Sequence, residues 1–281
     1  MARRALRVAR AIRLTELLRL VSPFLPKRAQ QAIEIARLNV RARHGELDEL
    51  LPLVPEKQLE RRYREVLGVL RQANGNQFVG DYLEFGVYVG TSLSCMHRAL
   101  VEAGLTDVRL FGFDSFEGLP AEASTEDTAG YAMWRPGQFS APLEVARENL
   151  REKGVDMERT TLVKGWFENT LTADFAELHR LSKAGVIMVD CDLYTSAKAA
   201  LEFSEPLIRD RAVIFFDDWW PATLGAGRAG ERRAFEEFLE EHPGFSAIEL
   251  ESYSAEDAKV FLVSRAEHRQ ELDESLPEQH V

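Results

Sequence analysis

The sequence predicts an α/β protein with a doubly wound, Rossmann-like sheet that is mostly parallel and carries an antiparallel hairpin at one edge. From residue 80 onward, short apolar runs alternate with segments of helical periodicity, which is the element order of a β/α fold. Near the C-terminus, apolar runs at 245–251 and 259–264 are separated by a short polar connection. That spacing predicts the edge hairpin.

The chain divides into three predicted parts. Residues 1–77 form an N-terminal helical extension, residues 78–265 the α/β domain, and residues 266–281 an acidic C-terminal tail. The extension carries amphipathic helical patterns at 1–21, 29–43 and 56–72. Because they precede the first strand, we expect these helices to cap the domain or to form the contact of a homo-oligomer rather than to supply chemistry.

The net charge of −11 is distributed unevenly. Residues 1–45 hold 11 Lys/Arg and 2 Asp/Glu, which leaves 24 basic against 44 acidic residues for the remainder. A domain so acidic argues against a nucleic-acid partner. We expect the basic amphipathic segment at 1–21 to pack on the acidic domain or on a second subunit. Contact with a membrane surface and a cleaved targeting segment are alternatives that the sequence favours less.

Cysteine content and hydropathy predict a cytoplasmic protein. The two cysteines, Cys95 and Cys191, lie in apolar segments and have neither a metal-binding spacing nor a disulfide framework, which suits a reducing compartment. No apolar run approaches the roughly 18 residues of a membrane-spanning helix.

Periodicity places the elements of the domain in order. The predicted strands are residues 81–85, 110–113, 160–163, 186–189, 212–216, 245–251 and 259–264. The predicted helices are residues 91–103, 143–153, 174–181, 196–207 and 231–241. The segment 117–142 has no clear period, and a loop of this length in a compact domain is typical of a lid or a binding loop.

Two neighbouring strands each end in carboxylates. Asp190 and Asp192 follow the strand at 186–189, and Asp217 and Asp218 follow the strand at 212–216. A crossover helix between two strands makes them parallel, so all four carboxylates should gather at one edge of the sheet. Like charges at close range raise one another's pKa unless a cation compensates. Oxygen-only ligands favour Mg²⁺, Ca²⁺ or Mn²⁺ over zinc.

A glycine-bounded turn after the first predicted strand indicates a ligand site. Gly86 and Gly90 would let the backbone approach a ligand, and Thr91 or Ser92 could cap the helix that follows. Asp114 closes the second strand, where an acidic residue commonly accepts hydrogen bonds from ribose. The alternatives are a tight turn without a ligand and a loop or helix-capping aspartate. Together the two features favour a nucleoside-containing ligand.

Several motifs occur together in one order: EFGVY at 84–88, FDSFEGLP at 113–120, KGWF at 164–167, DCDLY at 190–194 and DD at 217–218. This set resembles the macrocin/mycinamicin-type (TylF/MycF-like) sugar O-methyltransferases over roughly residues 80–220. Two departures are Cys191, where a glycine is common, and Trp219-Trp220, where a single tyrosine is usual.

The resemblance implies a class I S-adenosylmethionine-dependent O-methyltransferase that uses a divalent metal, usually Mg²⁺. It implies metal binding by Asp190, Asp217 and Asp218, and leaves Asp192 as the doubtful member, for which capping of the predicted helix at 196 is the alternative role. It implies cofactor binding by Glu84, Gly86 and Gly90 around the methionine part, with Thr91 and Ser92 beside them, by Asp114 at the ribose, and by Ser115, Phe116 and Trp166 near the adenine.

Methyl transfer requires alignment of acceptor oxygen, methyl carbon and sulfur, and a nucleophilic oxygen. We therefore predict Asp190 as the general base for a hydroxyl of a small glycosylated or polyhydroxylated acceptor. Trp219 and Trp220 could wall the acceptor pocket or be structural. His97 and His179 are alternative bases, but both fall in predicted helices, which favours a surface or packing role. The rival functions are a nicotinamide-dependent oxidoreductase, which lacks its three-glycine turn here, and a metal-free binding or scaffold protein.

Overall fold

The structure is a computed structural model that describes residues 54–73, 79–121, 127, 136–219, 229–254 and 258–266. The predicted helices at 1–21 and 29–43, on which the predicted subunit contact depends, lie outside these residues, as does nearly all of the acidic tail. Within the described ranges, no helix is both long enough and apolar enough to cross a membrane.

The described strands form one seven-stranded sheet in the order β3-β2-β1-β4-β5-β7-β6. The strands are β1 (Asp81–Phe85), β2 (Leu110–Asp114), β3 (Thr160–Lys164), β4 (Ala184–Val189), β5 (Arg211–Phe216), β6 (Phe245–Leu250) and β7 (Lys259–Arg265). Strands β1 to β5 are parallel, and β7 is antiparallel to both β5 and β6. The predicted parallel sheet with an antiparallel edge hairpin is confirmed.

Helices flank the sheet on both faces. They are α1 (Glu56–Ala73), α2 (Thr91–Glu102), α3 (Leu143–Glu152), α4 (Phe167–Thr170), α5 (Ala173–Leu178), α6 (Tyr194–Ser204) and α7 (Gly230–Glu241), and a 3₁₀ turn (Glu205–Leu207) follows α6. Side chains on successive positions of a strand point to opposite faces. Tyr82 therefore joins the core under α1 and α2, whereas Leu83 and Phe85 join the core under α6 and α7.

Helix α1 is integrated into the domain core. Its predicted apolar stripe is buried in full: Leu59, Tyr63, Val66, Leu67 and Leu70. The Tyr63 ring contacts Phe215 of β5 with the centroids 4.9 Å apart. The predicted domain boundary at residues 77/78 stays a prediction, but α1 shares one core with the sheet.

The chain winds outward from β1 through β2 to β3, then returns to the other side of β1 as β4. The sheet order therefore reverses between β1 and β4, and ligands of open α/β sheets bind at the carboxyl ends of strands beside such a reversal. The pairing of Phe85 with Val189 places the ends of β1 and β4 side by side. The loops at 86–90 and 190–193 thus meet at this point.

The structure shifts several predicted boundaries by a few residues. Strand β4 begins at Ala184 because Ala184 pairs with Asp81 of β1, and the register shifts at Gly185 before Val186 pairs with Tyr82. Helix α5 ends at Leu178 and α6 begins at Tyr194. The one-turn helix α4 was not predicted, because four residues are too few to show a period.

Candidate functional site

Three carboxylates meet at the carboxyl edge of the sheet. Asp190 follows β4, and Asp217 and Asp218 follow β5, whose last residue Phe216 pairs with Val189. One carboxylate oxygen from each of the three lies within 4.8 Å of the others. The three side chains are half-buried. The parallel pairing thus brings these carboxylates together as the sequence predicts.

Asp192 lies beside this cluster but does not cap helix α6. Helix α6 begins at Tyr194, with Leu193 as its N-cap and no side-chain capping bond. The Thr195 N–H and hydroxyl instead donate to the Asp127 carboxylate, at 3.0 and 2.6 Å. The predicted capping role of Asp192 is therefore wrong, because an acid from the loop at 117–142 serves that helix end.

Two residues at the cluster were not singled out from the sequence. Glu231 of α7 is fully buried, and its Oε1 and Oε2 accept hydrogen bonds from the Cys191 and Asp218 N–H groups, each at 3.1 Å. Tyr253, in the connection between β6 and β7, donates its hydroxyl hydrogen to Asp217 Oδ1. One signal was available: Glu231 falls on the helical stripe of Ala234, Phe235 and Phe238, so it faces the core.

The cluster is strongly acidic, and its pKa values reflect this. Burial raises the pKa of the Asp190 carboxyl well above its usual range, and the charges of Asp217 and Asp218 raise it further. Burial and the charge of Asp218 also raise the pKa of Glu231. Such a group of acids holds protons or a cation at neutral pH. Its oxygen-only donors are those that hard divalent cations prefer.

The turn at 86–90 is shaped by contacts within the protein. Gly86 has φ +94°, and a Cβ there would lie 1.7 Å from the Asp190 carbonyl oxygen. Gly90 has φ +77° and is the N-cap of α2, where a Cβ would lie 2.8 Å from Leu150 Cδ2. The close approach of Gly86 and Gly90 to other parts of the chain accounts for both glycines without a ligand.

Thr91 and Ser92 do not cap helix α2, contrary to prediction, because Gly90 occupies the N-cap position and no side-chain capping bond forms. Both residues are buried. The Ser92 hydroxyl lies against the Glu84 carboxylate and lowers its pKa, whereas the Thr91 hydroxyl has no hydrogen-bond partner among the residues that the structure describes. A buried hydroxyl without a partner, one residue beyond a sharp turn, can bind a polar ligand.

Asp114 fastens the glycine turn to the end of β2. Its Oδ2 accepts hydrogen bonds from the Val87 and Tyr88 N–H groups, each at 2.8 Å, and its Oδ1 accepts from Phe116 N–H at 2.6 Å. Burial raises the pKa of Asp114, and these N–H groups oppose that rise. These contacts are those expected of an aspartate that holds a loop in place, and the predicted contact of Asp114 with a ribose stays a prediction.

Glu84 lies inside the core at the foot of the turn, with 1% of its surface exposed. The Tyr82 hydroxyl donates to Glu84 Oε2 at 2.5 Å, and the Tyr63 and Tyr82 hydroxyls are 3.0 Å apart. Burial raises the pKa of Glu84 from 4.5 to about 8, although hydrogen bonds from Tyr82 and Ser92 oppose the rise. A chain of hydrogen bonds therefore runs from helix α1 to the predicted cofactor turn.

The three predicted adenine contacts have different surroundings. Trp166 is 36% exposed. It lies at the carboxyl edge of the sheet, because the preceding residue, Gly165, donates its N–H to the Asp114 carbonyl at 2.9 Å. The Ser115 hydroxyl donates to the Gly118 carbonyl within a turn. Phe116 has φ +55° and its ring is buried in a small apolar cluster. Of the three, only the Trp166 side chain is exposed.

The remaining sequence candidates have structural roles. Trp219 is buried and packs on Phe216, Phe235 and Phe261, and Trp220 lies outside the described residues. His97 accepts a hydrogen bond from Asp156 N–H, and the His179 ring stacks on Phe175. His97 lies within α2 as predicted, whereas His179 follows the last residue of α5, and the contacts of both agree with the expected surface or packing role.

The sequence profile of the macrocin-O-methyltransferase (TylF) family matches residues 14–242. The chain belongs to this family. The match extends well beyond the stretch at 80–220 on which the motif resemblance depends, and covers helix α1, most of the sheet and helix α7. Asp190, Asp217, Asp218 and Glu231 therefore lie within the family's shared region, and Tyr253 lies beyond it.

This chain is similar in sequence to two methyltransferases of natural products. It is 34% identical over 143 residues to the 8-demethyl-8-(2,3-dimethoxy-α-L-rhamnosyl)-tetracenomycin-C 4′-O-methyltransferase of Streptomyces olivaceus, covering 50% of this chain and 53% of that protein. It is 26% identical over 163 residues to the demethyldecarbamoylnovobiocin O-methyltransferase of Streptomyces niveus, covering 57% and 60%. The matches thus span little more than half of each relative.

Solved structures show the same fold. The O-methyltransferase NovP superposes with a TM-score of 0.57 at 21% identity, covering 73% of this chain and 79% of that one. The calicheamicin methyltransferase CalS11 superposes with a TM-score of 0.56 at 19% identity, covering 86% and 93%. With these neighbours, the sheet order identifies a class I methyltransferase fold.

The contact between Gly86 and Asp190 predicts a position that tolerates no side chain. Gly86→Ala is expected to lower the free energy of unfolding by about 3 kcal/mol or more, because its Cβ meets a backbone oxygen at positive φ. Gly68→Ala is the control: no atom lies within 4 Å of its added Cβ, so a gain of about 0.5–1 kcal/mol is expected. Equal urea unfolding midpoints for both variants would contradict this account.

The raised pKa of Glu84 predicts a pH dependence of stability. The folded protein keeps a proton on Glu84 that the unfolded chain loses, so this group makes the free energy of unfolding fall as the pH rises from 4.5 to about 8. The slope approaches about 1.4 kcal/mol per pH unit. Urea titrations of wild type and Glu84→Gln across this range should show a shallower fall in the variant. Glu144→Gln, on the exposed first turn of α3, should retain the wild-type slope.

Proposed function

We propose that the protein is an S-adenosylmethionine-dependent O-methyltransferase that methylates a hydroxyl of a small glycosylated or polyhydroxylated molecule. Membership of the TylF family favours this reaction over a nicotinamide-dependent oxidation or a scaffold role. The relative from S. olivaceus is named for 4′-O-methylation of a rhamnosyl-bearing compound, which supports a sugar hydroxyl as the acceptor.

The observation that carries the proposal is the contact between the glycine turn and the carboxylate cluster. Asp190 N–H donates to the Phe85 carbonyl at 2.9 Å, and the Asp190 carbonyl lies against Gly86. A ligand held at the turn is therefore next to the Asp190 side of the cluster. Methyl donor and acceptor hydroxyl must meet in line at such a boundary.

The methyl donor fits the residues beside the turn. S-adenosylmethionine would supply an electrophilic methyl group on a positively charged sulfur. The unpaired, buried Thr91 hydroxyl and the exposed Trp166 ring at the sheet edge suit a ligand that is polar at one end and aromatic at the other. The proposed contacts are Glu84, Gly86, Gly90, Thr91 and Ser92 for the methionine part, Asp114 for the ribose, and Ser115, Phe116 and Trp166 for the adenine.

A divalent cation, Mg²⁺ in the first instance, fits the carboxylates of Asp190, Asp217 and Asp218. The fit rests on their oxygen-only donor set and on their mutual proximity. Such an ion would hold the acceptor and lower the pKa of its hydroxyl group. Tyr253 keeps Asp217 oriented through its hydroxyl group, and the burial of the cluster favours a compensating positive charge.

Asp190 is the proposed general base. Its backbone lies against the glycine turn, so it is the cluster member that we place beside the proposed methyl donor. As the acceptor oxygen bonds to the methyl carbon, the carbon–sulfur bond breaks and the hydroxyl proton passes to Asp190. S-adenosylhomocysteine and the methyl ether are the products.

Incubation with methyl-labelled S-adenosylmethionine and a panel of glycosylated metabolites tests the reaction. Label is expected on an ether oxygen of at least one acceptor, and EDTA is expected to abolish the transfer until Mg²⁺ is restored. Transfer that persists undiminished in EDTA would remove the metal from the proposal. Binding of NAD in place of S-adenosylhomocysteine, measured by calorimetry, would overturn the assignment as a methyltransferase.

Asp190→Asn tests the base. The amide cannot accept the hydroxyl proton, so kcat is expected to fall by about 10²- to 10⁴-fold while S-adenosylhomocysteine binds as in wild type. Asp174→Asn, on an exposed position of α5, is the matched control and should leave kcat unchanged. Near-normal turnover of Asp190→Asn with metal still bound would refute the role of Asp190.

A further inference from the structure

Glu231 is a buried acid that the proposed reaction does not use. It lies in the first turn of α7 and has no exposed surface. A glutamate in a first turn ordinarily caps its own helix or interacts with the helix dipole. Here the N-cap residue, Ala229, makes no side-chain capping bond, and both Glu231 oxygens accept N–H groups from elsewhere.

The two N–H groups belong to the two loops that carry the proposed metal ligands. Cys191 directly follows Asp190, and Asp218 is itself one of the three. The last backbone bond between these loops is Asp217 N–H to the Val189 carbonyl, at 3.1 Å. Beyond that bond neither strand continues, and the Glu231 carboxylate links the loops instead.

The approach of α7 to these loops is close. Gly230 has φ +54°, and a Cβ there would lie 3.3 Å from the Asp192 carbonyl oxygen. The first turn of α7 therefore rests on the loop that follows β4. This contact places the Glu231 carboxylate between the loop after β4 and the loop after β5. The two carboxylate oxygens therefore set the distance between these loops.

The electrostatic surroundings are unfavourable for an acid at this position. The nearby charges include Asp218 and Asp217, and a buried carboxylate among other carboxylates is costly. Glutamine would avoid this cost, but its amide has an acceptor oxygen on one side only, whereas the two N–H groups bind the two different oxygens of Glu231. The need for two acceptors on one rigid group explains why a carboxylate occupies this site.

We propose that Glu231 is a positioning residue that fixes the spacing between Asp190 and the Asp217–Asp218 pair and thereby sets the affinity of the site for a divalent cation. This inference rests on the proposed metal site. Groups that orient metal ligands typically change metal affinity by about 10- to 100-fold when they are replaced.

Mn²⁺ binding to the full chain, measured by the loss of the free-ion EPR signal, tests the proposal. Glu231→Gln is expected to bind Mn²⁺ about 10- to 100-fold more weakly than wild type, with S-adenosylhomocysteine affinity within about threefold. Glu241→Gln, on the exposed end of the same helix where it pairs with Lys198, is the control and should bind Mn²⁺ as wild type does.

Glu231→Asp separates spacing from charge. It keeps the charge and both acceptor oxygens but is shorter by one methylene, so it cannot reach both loops. Weak Mn²⁺ binding by this variant supports the proposal. If Glu231→Gln fails to fold, Glu231→Asp takes its place in the Mn²⁺ binding experiment. Wild-type affinity in Glu231→Asp would show that charge alone matters and would overturn the inference.

Failure of the inference and failure of the proposed function give different results. If wild type itself binds no Mn²⁺, the proposed metal site is wrong and the role of Glu231 falls with it. If wild type binds Mn²⁺ and both Glu231 variants bind it equally well, the metal site stands and the positioning role is overturned.

Discussion

Repulsion between carboxylates at one sheet edge is the constraint on which the site depends. Asp190, Asp192, Asp217, Asp218 and Glu231 all act on one another electrostatically. Such a group stays in place only if donors fixed by the fold hold it. Backbone N–H groups and the Tyr253 hydroxyl are those donors here. They hold the carboxylates in position against their mutual repulsion.

A short stretch of backbone connects the two halves of the site. The Asp190 N–H continues the pairing with β1, the Asp190 carbonyl lies against Gly86, and the Cys191 N–H binds Glu231. The peptide units around Asp190 therefore touch the glycine turn on one side and helix α7 on the other. Small displacements there would change the turn and the carboxylate cluster together.

The sequence predicted the sheet and the gathering of Asp190, Asp217 and Asp218, because both follow from local periodicity and from the handedness of a crossover. It did not predict Glu231, Tyr253 or Asp127. Each of these reaches the site from a distant segment, through side-chain contacts that no periodicity reports.

Roles inferred from residue type alone were less successful. The predicted ligand role of Gly86 and Gly90 stays a prediction, and the structure gives each a packing reason, against Asp190 and Leu150, that the sequence does not show. Thr91 and Ser92 were interpreted as caps, although Gly90 in a left-handed conformation already begins the helix. Such assignments depend on backbone dihedral angles and on neighbours far away in the chain, and the local sequence specifies neither.

The hydrogen bonds from Tyr63 through Tyr82 to Glu84 make helix α1 part of the same cooperative unit as the glycine turn. Linkage is reciprocal, so whatever orders the turn also holds α1 against the sheet, and whatever loosens α1 weakens binding at the turn. The packing of a helix outside the sheet thereby affects the affinity for the proposed cofactor. Any shortened version of the protein intended to bind that cofactor has to keep Tyr63 and the helix that carries it.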